Sequence, residues 1–278
     1  MLIAGVAALS ILSAVLFSLG CEGSAVLWVF PAALVGSFLV LAGLAFLFLW
    51  AICAVVDLDK PQEKDSKFYR FVTNLYIQAL PPLLGIRVHL KGMEQLPREG
   101  RFLLVCNHLS NADPVLLLRA FPKSQLAFIS KRENQEMFLV GKVMHKLMCQ
   151  LINRENDREA LKTILKCISM IREDMVSVAV FPEGYCSDDG RLQHFRAGVF
   201  KIAMKTRVPI VVCTLQNTPA IFDNLWSFRT TDVQLHLVGV IPAEETQGTT
   251  AVALAQRAYD MMLTDLGPDF APLEEETT

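Results

Sequence analysis

A short polar segment carries the residues best suited to chemistry. Asn107, His108 and Ser110 follow an apolar run, and Asp113 lies five positions after the histidine, just before Pro114. An imidazole paired with a carboxylate can act as a general base whose ring the acid orients, and such a pair suits removal of a proton from an alcohol. The simpler alternative is that Asp113 caps the helix that Pro114 opens, with His108 as an incidental loop residue. The pair alone leaves both interpretations open.

Three later segments join this one in a recognisable order. They are Leu151-Ile152-Asn153-Arg154, Phe181-Pro182-Glu183-Gly184 with Ser187, and Val208-Pro209-Ile210-Val211. Together with the Asn-His-x-x-x-x-Asp segment they resemble the four blocks of the glycerolipid acyltransferases of the 1-acylglycerol-3-phosphate (lysophosphatidate) type. The stretch 190–198 is also similar to the family's Gly-x-Leu-x-x-Phe-Lys-x-Gly. A chance match of four blocks in order and spacing is far rarer than a match to one motif.

The resemblance implies a reaction and a role for each residue. His108 would be the general base and Asp113 would orient its ring, so that an acceptor hydroxyl attacks an acyl thioester directly and no covalent acyl-enzyme is required. Arg154 would bind the acceptor's phosphate, unless it is only a surface charge in a polar run. Glu183 would accept hydrogen bonds from acceptor hydroxyls or neighbouring donors, although its spacing also suits a turn residue. The predicted substrate-binding residues are Asn107, Ser110, Lys131, Arg154, Glu183, Gly184 and Arg196.

One departure from the family pattern concerns the acceptor. The third block's Thr-Arg is Tyr185-Cys186 in this chain, which removes a cation that would face the phosphate. The candidate replacements are Arg191, Arg196 and Lys131. Lysophosphatidate stays the first expectation for the acceptor, with phosphatidic acid as the product. A lysophospholipid with a larger headgroup, or an acyl-amino-acid lipid, is a competing acceptor.

The resemblance also implies the other reactants. The acyl donor would be acyl-CoA or acyl carrier protein, which is a substrate, so no cofactor is expected. The altered third block motivates a second hypothesis, in which the chain is a non-catalytic lipid-binding or scaffolding membrane protein descended from such enzymes.

Composition and spacing argue against two further classes of protein. Metal-assisted hydrolysis needs several ligands that close on one point, and no metal is expected because four of the five histidines show no ligand spacing. These are His89, His145, His194 and His236. The 26 basic and 28 acidic residues nearly balance, and without a basic stripe no nucleic-acid partner is expected. The seven scattered cysteines contain no C-x-x-C pair and indicate reduced, mostly buried thiols.

The N-terminal segment is apolar enough for lipid. Residues 1–56 contain one charged side chain, Glu22, in a chain that is 53% hydrophobic. Two apolar runs, 2–19 and 25–56, predict a transmembrane helical hairpin as the membrane anchor. A cleaved signal peptide is the alternative for the first run, but a basic n-region is missing and a second apolar run follows at once. Basic residues cluster only after the second run, so we expect an integral protein of the cell membrane with its main domain on the cytoplasmic side, in contact with membrane lipids.

A helix and linker follow the anchor over residues 57–85. Apolar residues recur at helical spacing from Lys64 to Leu84, and Pro81-Pro82 is expected to end the helix. This amphipathic helix could pack on the domain core or lie in the headgroup plane as an interfacial helix.

Residues 86–270 predict an α/β acyltransferase domain with a mainly parallel sheet flanked by helices, because short β-rich runs alternate with helical ones. The predicted strands are 86–90, 102–106, 125–130, 150–152, 176–181, 209–215 and 233–240. The predicted helices are 115–118, 133–147, 157–172, 198–206 and 249–266. The acidic end, 271–278, predicts a disordered tail. The His108 segment would lie at the carboxyl edge of the sheet, where ligands bind in open α/β folds.

Overall fold

The computed structural model describes residues 2–227 and 229–272 of the 278-residue chain. Most of the predicted tail therefore lies outside the described residues, including its acidic run, 274–276. The α-helices of the described part are α1 (Leu2–Ser18), α2 (Val26–Ala54), α3 (Lys67–Leu83), α4 (Asp113–Ala120), α5 (Phe138–Lys146), α6 (Asp157–Arg172), α7 (Lys201–Thr206), α8 (Ala220–Leu225) and α9 (Ala251–Leu266). Its strands are β1 (Ile86–Lys91), β2 (Leu103–Cys106), β3 (Leu126–Lys131), β4 (Gln150–Ile152), β5 (Ser177–Val180), β6 (Ile210–Gln216) and β7 (Thr231–Ile241).

The two N-terminal helices correspond to the two apolar runs of the sequence. They pack along each other, and the Ser37 hydroxyl lies 3.3 Å from the carbonyl oxygen of Ser10. The helical segment Gly23–Ala54 is long and apolar enough to cross a membrane, whereas α1 has 17 residues and is shorter. Large apolar side chains such as Trp28 and Phe17 point outward, with 80% and 66% of their surface exposed. A long apolar helix preceded by a short one is thus confirmed, and their passage through a membrane stays a prediction.

Helix α3 joins the N-terminal helices to the rest of the chain. The Ser66 side chain accepts a hydrogen bond from the backbone N–H of Tyr69 and caps its first turn. The hydroxyls of Tyr69 and Tyr76 donate to the carbonyls of Ile52 and Ala45 in α2, at 2.7 and 2.6 Å. Two successive bonds of this kind fix α3 alongside the second half of α2.

The face of α3 turned toward the α/β domain is also bonded. Arg70 donates to the carbonyl of Leu126 at 2.8 Å, and Arg119 of α4 donates to the carbonyl of Gln78 at 2.6 Å. A third side of the helix exposes Phe68 and Phe71, with 51% and 65% of their surface free. The sequence offered packing on the core and contact with the headgroup plane as alternatives. The helix packs on the core and still leaves an apolar surface outside it.

The helix continues slightly past the Pro81-Pro82 pair that was predicted to end it. Pro81 and Pro82 lie inside the last turn of α3, and the helix ends at Leu83. Proline is poorly tolerated inside a helix because it lacks an N–H and its ring clashes with the preceding turn. The chain leaves the helix at Gly85, whose φ of +68° is a left-handed conformation that glycine adopts without strain.

A seven-stranded sheet forms the centre of the described part, in the order β1-β7-β6-β2-β5-β3-β4. All neighbouring pairs are parallel except β6 and β7, which run antiparallel. The strands β2, β5 and β6 are buried along nearly their whole length, as expected for a parallel sheet covered on both faces. Two apolar clusters flank the sheet, one under α6, α7 and α9 and the other under α4 and α8. The predicted mainly parallel α/β fold is confirmed.

All seven predicted strands and most predicted helices are present, with shifted ends at several places. The helix predicted over 133–147 is broken: a 3-10 turn, Arg132–Gln135, precedes α5. The break brings Gly141 against the backbone of Gln135, where an added Cβ would lie 2.0 Å from the carbonyl oxygen. The predicted helix 198–206 likewise begins as a 3-10 turn before α7. Helix α8 was not predicted, because a segment of 6 residues is too short to show a helical period.

Candidate active site

The motif residues meet because their segments follow parallel strands that are neighbours in the sheet. His108 comes two residues after β2, Glu183 three residues after β5, and Arg154 two residues after β4. Lys131 is the last residue of β3. Strands β2, β5, β3 and β4 are consecutive in the sheet and run in one direction, so their carboxyl ends share one edge. The sequence prediction of a site at this edge agrees with the placement of these residues.

His108 and Asp113 form a direct hydrogen bond of 2.8 Å between Nδ1 and Oδ2. The same carboxylate oxygen accepts the backbone N–H groups of Leu109 and Ser110, at 2.7 and 2.9 Å. Asp113 has no exposed surface. Although it is the first residue of α4, its carboxylate bonds the loop before the helix and makes no cap for the helix itself. The simple capping alternative is therefore wrong, and the carboxylate is placed to hold the histidine in one orientation.

The imidazole of His108 is enclosed on three sides. Its ring stacks on Phe181, with centroids 4.0 Å apart and an angle of 14° between the planes. Its second nitrogen, Nε2, lies 3.2 Å from the Sγ atom of Cys186. Burial opposes the charged form of the ring, but the bonds and charges of Asp113 and Cys186 outweigh burial and raise the pKa of His108 to about 9. The contacts with Asp113 and Cys186 therefore favour the protonated form of the imidazole, and Nε2 faces the Cys186 sulfur.

Glu183 connects two loops beneath the histidine. Its Oε1 accepts the backbone N–H of His108 at 2.7 Å and its Oε2 accepts that of Gln193 at 2.9 Å. The side chain is 1% exposed, and burial raises the pKa of the carboxyl to about 7, despite these two bonds. The neighbouring donors to this carboxylate are therefore backbone N–H groups. The structure places Glu183 as a support for the His108 loop, and its predicted contact with acceptor hydroxyls stays a prediction.

Asn107 and Ser110 were predicted to bind substrate, and the structure gives both of them internal partners. The Asn107 amide donates to the carbonyl of Leu215 and accepts from its N–H, at 3.0 and 2.7 Å, which ties the end of β2 to β6. The Ser110 hydroxyl donates to Asp113 Oδ1 at 3.2 Å. Both residues are almost fully buried. Buried polar groups form hydrogen bonds with internal partners. Asn107 and Ser110 do so here and therefore hold the site in its shape.

The cationic residues lie on the other side of Cys186. Arg154 is half-buried, and burial and the charge of Arg196 both lower the pKa of its guanidinium. Arg196 is exposed and passes over Gly184, where an added Cβ would lie 2.9 Å from its Nε. Gly184 has φ +90°, a left-handed conformation that glycine adopts without strain. Two guanidinium groups and the histidine thus border one region.

Two other candidate cations differ in their availability. Lys131 is exposed at the carboxyl edge of the sheet. Arg191 donates to the carbonyls of Asp269 and Ala271, both at 2.8 Å, and holds the chain after α9 in place. These bonds disfavour Arg191 as a replacement for the missing phosphate ligand, because one nitrogen of its guanidinium is already bonded to the backbone.

Comparison with known proteins shows which family the central part of this chain matches. The sequence model of the family described as Acyltransferase matches residues 87–216. Residues 87–216 are an acyltransferase domain. This match contains every motif block of the sequence analysis, and the predicted resemblance is confirmed.

Individual relatives of the acyltransferase domain agree with this match. A protein of Mycoplasma pneumoniae named as a probable 1-acyl-sn-glycerol-3-phosphate acyltransferase is 34% identical over 160 residues, which cover 56% of this chain and 57% of that protein. A 1-acyl-sn-glycerol-3-phosphate acyltransferase of Borreliella burgdorferi is 29% identical over 140 residues, which cover 50% and 55% of the two chains. The chain thus spans a little more than half the length of these relatives. The crystal structure of the 1-acyl-sn-glycerophosphate acyltransferase PlsC from Thermotoga maritima superimposes with a TM-score of 0.59, over 82% of this chain and 89% of that one, at 20% identity. This likeness shows a common fold.

Sequence reasoning missed two residues of the acyltransferase domain that touch the histidine. In the sequence, Cys186 is notable only because it replaces the arginine of the family motif, and Phe181 only because it matches the first residue of the third block. The signal for Cys186 was present, since it follows Glu183 by three residues in the same block. Because Cys186 is so close to Glu183 in the sequence, a prediction that Glu183 lies near His108 also implies that Cys186 lies near it. The signal for Phe181 is its place at the end of β5, next to the strand that leads to His108.

Proposed function

We propose that this chain is a membrane-anchored acyltransferase that moves a fatty acyl group from an acyl thioester to the free hydroxyl of a lysophospholipid. The observation that carries the proposal is the bond of 2.8 Å between His108 Nδ1 and the fully buried Asp113, which leaves Nε2 as the reactive nitrogen at the carboxyl edge of the sheet. The match of residues 87–216 to the acyltransferase family supports the same reaction.

The chemistry requires one proton to move twice. His108 Nε2 removes the proton of the acceptor hydroxyl as its oxygen attacks the thioester carbonyl, and the buried carboxylate of Asp113 stabilises the imidazolium that forms. When the tetrahedral intermediate collapses, the C–S bond breaks and the imidazolium returns the proton to the departing sulfur. An ester has formed and a thiol has left. No external acid or base is needed.

The acceptor that we propose first is 1-acylglycerol-3-phosphate, with phosphatidic acid as the product. Arg154 and Arg196 support this choice, because guanidinium groups bind phosphate oxygens through paired hydrogen bonds. The relatives named above carry that activity in their names. The donor would be acyl-CoA or acyl carrier protein, and the reaction needs no cofactor. A lysophospholipid with a larger headgroup or an acyl-amino-acid lipid is the competing acceptor, because Cys186 stands where the family has arginine.

The location we propose is the cytoplasmic face of the cell membrane. The apolar helix α2 suggests membrane association by its length and composition. Lys60, Lys64 and Lys67 follow this helix, whereas the loop between α1 and α2 contains no basic residue, and such a bias keeps the basic side in the cytoplasm. The exposed Phe68 and Phe71 of α3 would then contact membrane lipid, which is where a lysophospholipid is found.

The test is an acceptor panel with purified full-length protein in detergent. Radiolabelled acyl-CoA and acyl carrier protein are each offered with 1-acylglycerol-3-phosphate, lysophosphatidylcholine, lysophosphatidylglycerol and an acyl-amino-acid lipid. We expect labelled phosphatidic acid that disappears in His108→Ala. The matched control is His89→Ala, since His89 also bonds an aspartate, Asp232, at 2.7 Å but lies exposed on β1.

Two results would contradict the proposal in different ways. Full product formation by His108→Ala would remove the base. Binding of lysolipids without turnover, across both donors and all acceptors, would indicate a non-catalytic lipid-binding protein.

A further inference from the structure

Helix α8 and the residue after it expose two large aromatic side chains on one face. Trp226 follows the helix directly with 87% of its surface exposed, and Phe222, four residues earlier, is 49% exposed. The other side of the helix is fixed to the domain, since Ile221 is buried and the Asn224 amide donates to the Thr231 hydroxyl at 3.0 Å. Single exposed apolar residues are ordinary, but neighbouring aromatic rings on a fixed support indicate a contact surface.

The direction of the strands places α8 at the edge of the sheet that carries the active site. Strand β6 runs parallel to β2, so its last residue, Gln216, lies at the same edge as His108, and α8 begins four residues later. Strand β7 runs antiparallel to β6 and therefore starts at this edge. Helix α8 and Trp226 lie in the connection between these two strand ends.

The end of α3 lies at the same edge. Strand β1 is parallel to β7, with Ile86 opposite Thr231, so β1 also starts there. Helix α3 ends just before β1, and the Thr231 N–H donates to the carbonyl of Gly85 at 3.0 Å. The exposed Leu83 at the end of α3 is therefore close in the fold to the segment that carries Trp226.

The bonds between α3 and α2 show which way this edge faces. Tyr69 bonds Ile52, and Tyr76 bonds Ala45, so the two sets of residues advance in opposite directions along their helices. Helix α3 thus runs antiparallel to α2, and its end points toward the apolar middle of α2. The active-site edge lies on that side.

Helix α5 gives the same direction independently. It begins after β3, near the active-site edge, where Phe138 packs against Trp50 with ring centroids 6.0 Å apart. One turn later Lys142 donates to the carbonyl of Val56, just beyond the end of α2. Helix α5 therefore runs the same way as α2, and its start is on the side of the apolar helix. With α2 in a membrane as proposed, the active-site edge is turned toward lipid.

Exposed apolar side chains border this edge. They belong to the end of α3, the start of α5 and the α8 segment, and we call them the apolar rim: Leu80, Leu83, Met137, Phe138, Phe222 and Trp226. The exposed charged residues beside the α8 rings are Asp223 and Arg229, which have opposite signs. The surface around α8 therefore offers no net charge that would select an acidic or a basic protein partner.

The size of the α8 surface also favours lipid. Two aromatic side chains bury at most about 500 Å² together, at about 150–250 Å² each. A stable interface between proteins takes about 800 Å² from each partner. Tryptophan favours the boundary between lipid and water, because its ring is apolar and its N–H is polar. A lipid surface therefore fits this pair better than a second copy of the chain does.

We propose that Phe222 and Trp226 insert into the lipid surface of the membrane as a second contact besides α2. This inference rests on the proposed membrane location and deepens it. Helices α5 and α8 lie on opposite sides of β2 in the order of the sheet, so a contact at α8 and the attachment through α2 and α5 hold the active-site edge at two points. The edge then stays against the lipid in which the acceptor is dissolved.

Bromine on lipid chains quenches tryptophan fluorescence at contact and so tests the insertion. The chain contains three tryptophans, and Trp28→Phe/Trp50→Phe leaves Trp226 alone. The full-length variant is reconstituted in vesicles of phosphatidylcholine and phosphatidylglycerol whose acyl chains carry bromine at different depths. We expect Trp226 to be quenched, most strongly by bromine nearest the headgroup.

Two further single-tryptophan chains serve as references. Trp50→Phe/Trp226→Phe leaves Trp28, which lies in α2 and reports whether this helix is in lipid. The matched control is Val252→Trp in a chain whose three native tryptophans are changed to Phe. Val252 is 68% exposed at the start of α9, and it follows the end of β7, which pairs with the start of β6 at the opposite edge of the sheet. This variant should be quenched little.

Activity in the same vesicles tests what the contact does. Withdrawing one large apolar side chain from lipid changes an equilibrium by roughly 10-fold or more. Phe222→Ser/Trp226→Ser should therefore lower kcat/KM for 1-acylglycerol-3-phosphate in vesicles by roughly 10-fold or more, and leave transfer to a short-chain acceptor dissolved in water unchanged. Val252→Ser should change neither reaction. Thermal melting checks that each variant is folded.

The outcomes separate this inference from the proposed function. Quenching of Trp28 without quenching of Trp226 would overturn the second contact and leave the membrane anchor intact. Trp226 emission at short wavelength that bromine does not quench would indicate a protein partner and overturn it too. Full activity of the folded double serine variant in vesicles would overturn the role of the contact in presenting the edge to lipid. Quenching of Trp226 in a protein that acylates no lysolipid would support the contact and refute the proposed reaction.

Discussion

The carboxylate of Asp113 offers a way to separate catalysis from folding by one atom. In Asp113→Asn the amide oxygen can take the place of Oδ2 and accept the same three bonds, from the His108 ring and from the N–H groups of Leu109 and Ser110. The amide nitrogen then faces the Ser110 hydroxyl, which can accept a hydrogen bond. The loop should keep its shape, and only the negative charge is lost.

Without the negative charge of Asp113, the imidazolium of His108 loses its electrostatic stabilisation. Removing one partner of a buried ion pair costs about 3–5 kcal/mol, and both side chains qualify, with exposures of 0% for Asp113 and 15% for His108. Each factor of ten in rate corresponds to about 1.36 kcal/mol, so the rate should fall roughly 150- to 5,000-fold. In Asp113→Ala the N–H groups of Leu109 and Ser110 also lose their acceptor, at about 1–3 kcal/mol each. The alanine variant should therefore be unstable as well as inactive.

The assay measures kcat/KM for the acceptor and the thermal midpoint of each variant. The asparagine variant should melt closer to the wild type than the alanine variant, which should melt lower by on the order of 10 °C. Asp232→Asn is the control, since its pair with His89 has a bond of 2.7 Å but side-chain exposures of 56% and 59%. Exposed pairs contribute little, so activity should change by less than about twofold. An asparagine variant that keeps a tenth of wild-type activity would refute the assigned role of the carboxylate.

Other variants address the supporting residues. Glu183→Gln should lower the free energy of unfolding by about 1–3 kcal/mol, since one of two buried N–H groups would meet an amide NH₂. The raised pKa of this carboxyl, about 7, means that the folded wild type loses stability as the pH rises from about 4.5 to 7, and urea unfolding of Glu183→Gln should lack this loss. Arg154→Ala should raise KM for 1-acylglycerol-3-phosphate by roughly 10- to 150-fold and leave monoacylglycerol unchanged, with the exposed Arg158→Ala as its control. NMR of labelled histidine should show His108 titrating near pH 9 in the wild type and at lower pH in Asp113→Asn; an ordinary value near 6.5 in the wild type would contradict the described contacts.

The fold could be predicted from the sequence because buried parallel strands appear as short apolar runs. Buried runs such as 102–106 are continuous and apolar, and this run ends where the polar residues Asn107 and His108 begin. The edge at which His108, Glu183 and Arg154 gather follows from strand direction alone. The family resemblance then joined the segments in order.

The roles of individual polar side chains could not be read in the same way. Asn107 bonds Leu215, which is 108 positions away, and no pattern near either residue distinguishes this internal amide from one that faces a ligand. The position of Cys186 depends on the path of the loop after Gly184, whose left-handed backbone turns the following residues back toward His108. Tertiary contacts of this kind decide which residues of a motif support the site and which reach the reactants.

With α2 across the bilayer as proposed, the tyrosine bonds between α3 and α2 would set the height of the α/β domain above the membrane. Helix α2 has 29 residues, whereas about 20 suffice to cross the hydrocarbon core, so about nine residues are left over. Ala45, the acceptor for Tyr76, lies nine residues before the end of α2, which is about 14 Å along the helix. With α2 across the bilayer as proposed, α3 is hydrogen-bonded to the part of α2 that extends beyond the hydrocarbon core, and α3 lies at headgroup level. A lysolipid could then reach the site by sideways diffusion, with its acyl chain still among its neighbours in the leaflet.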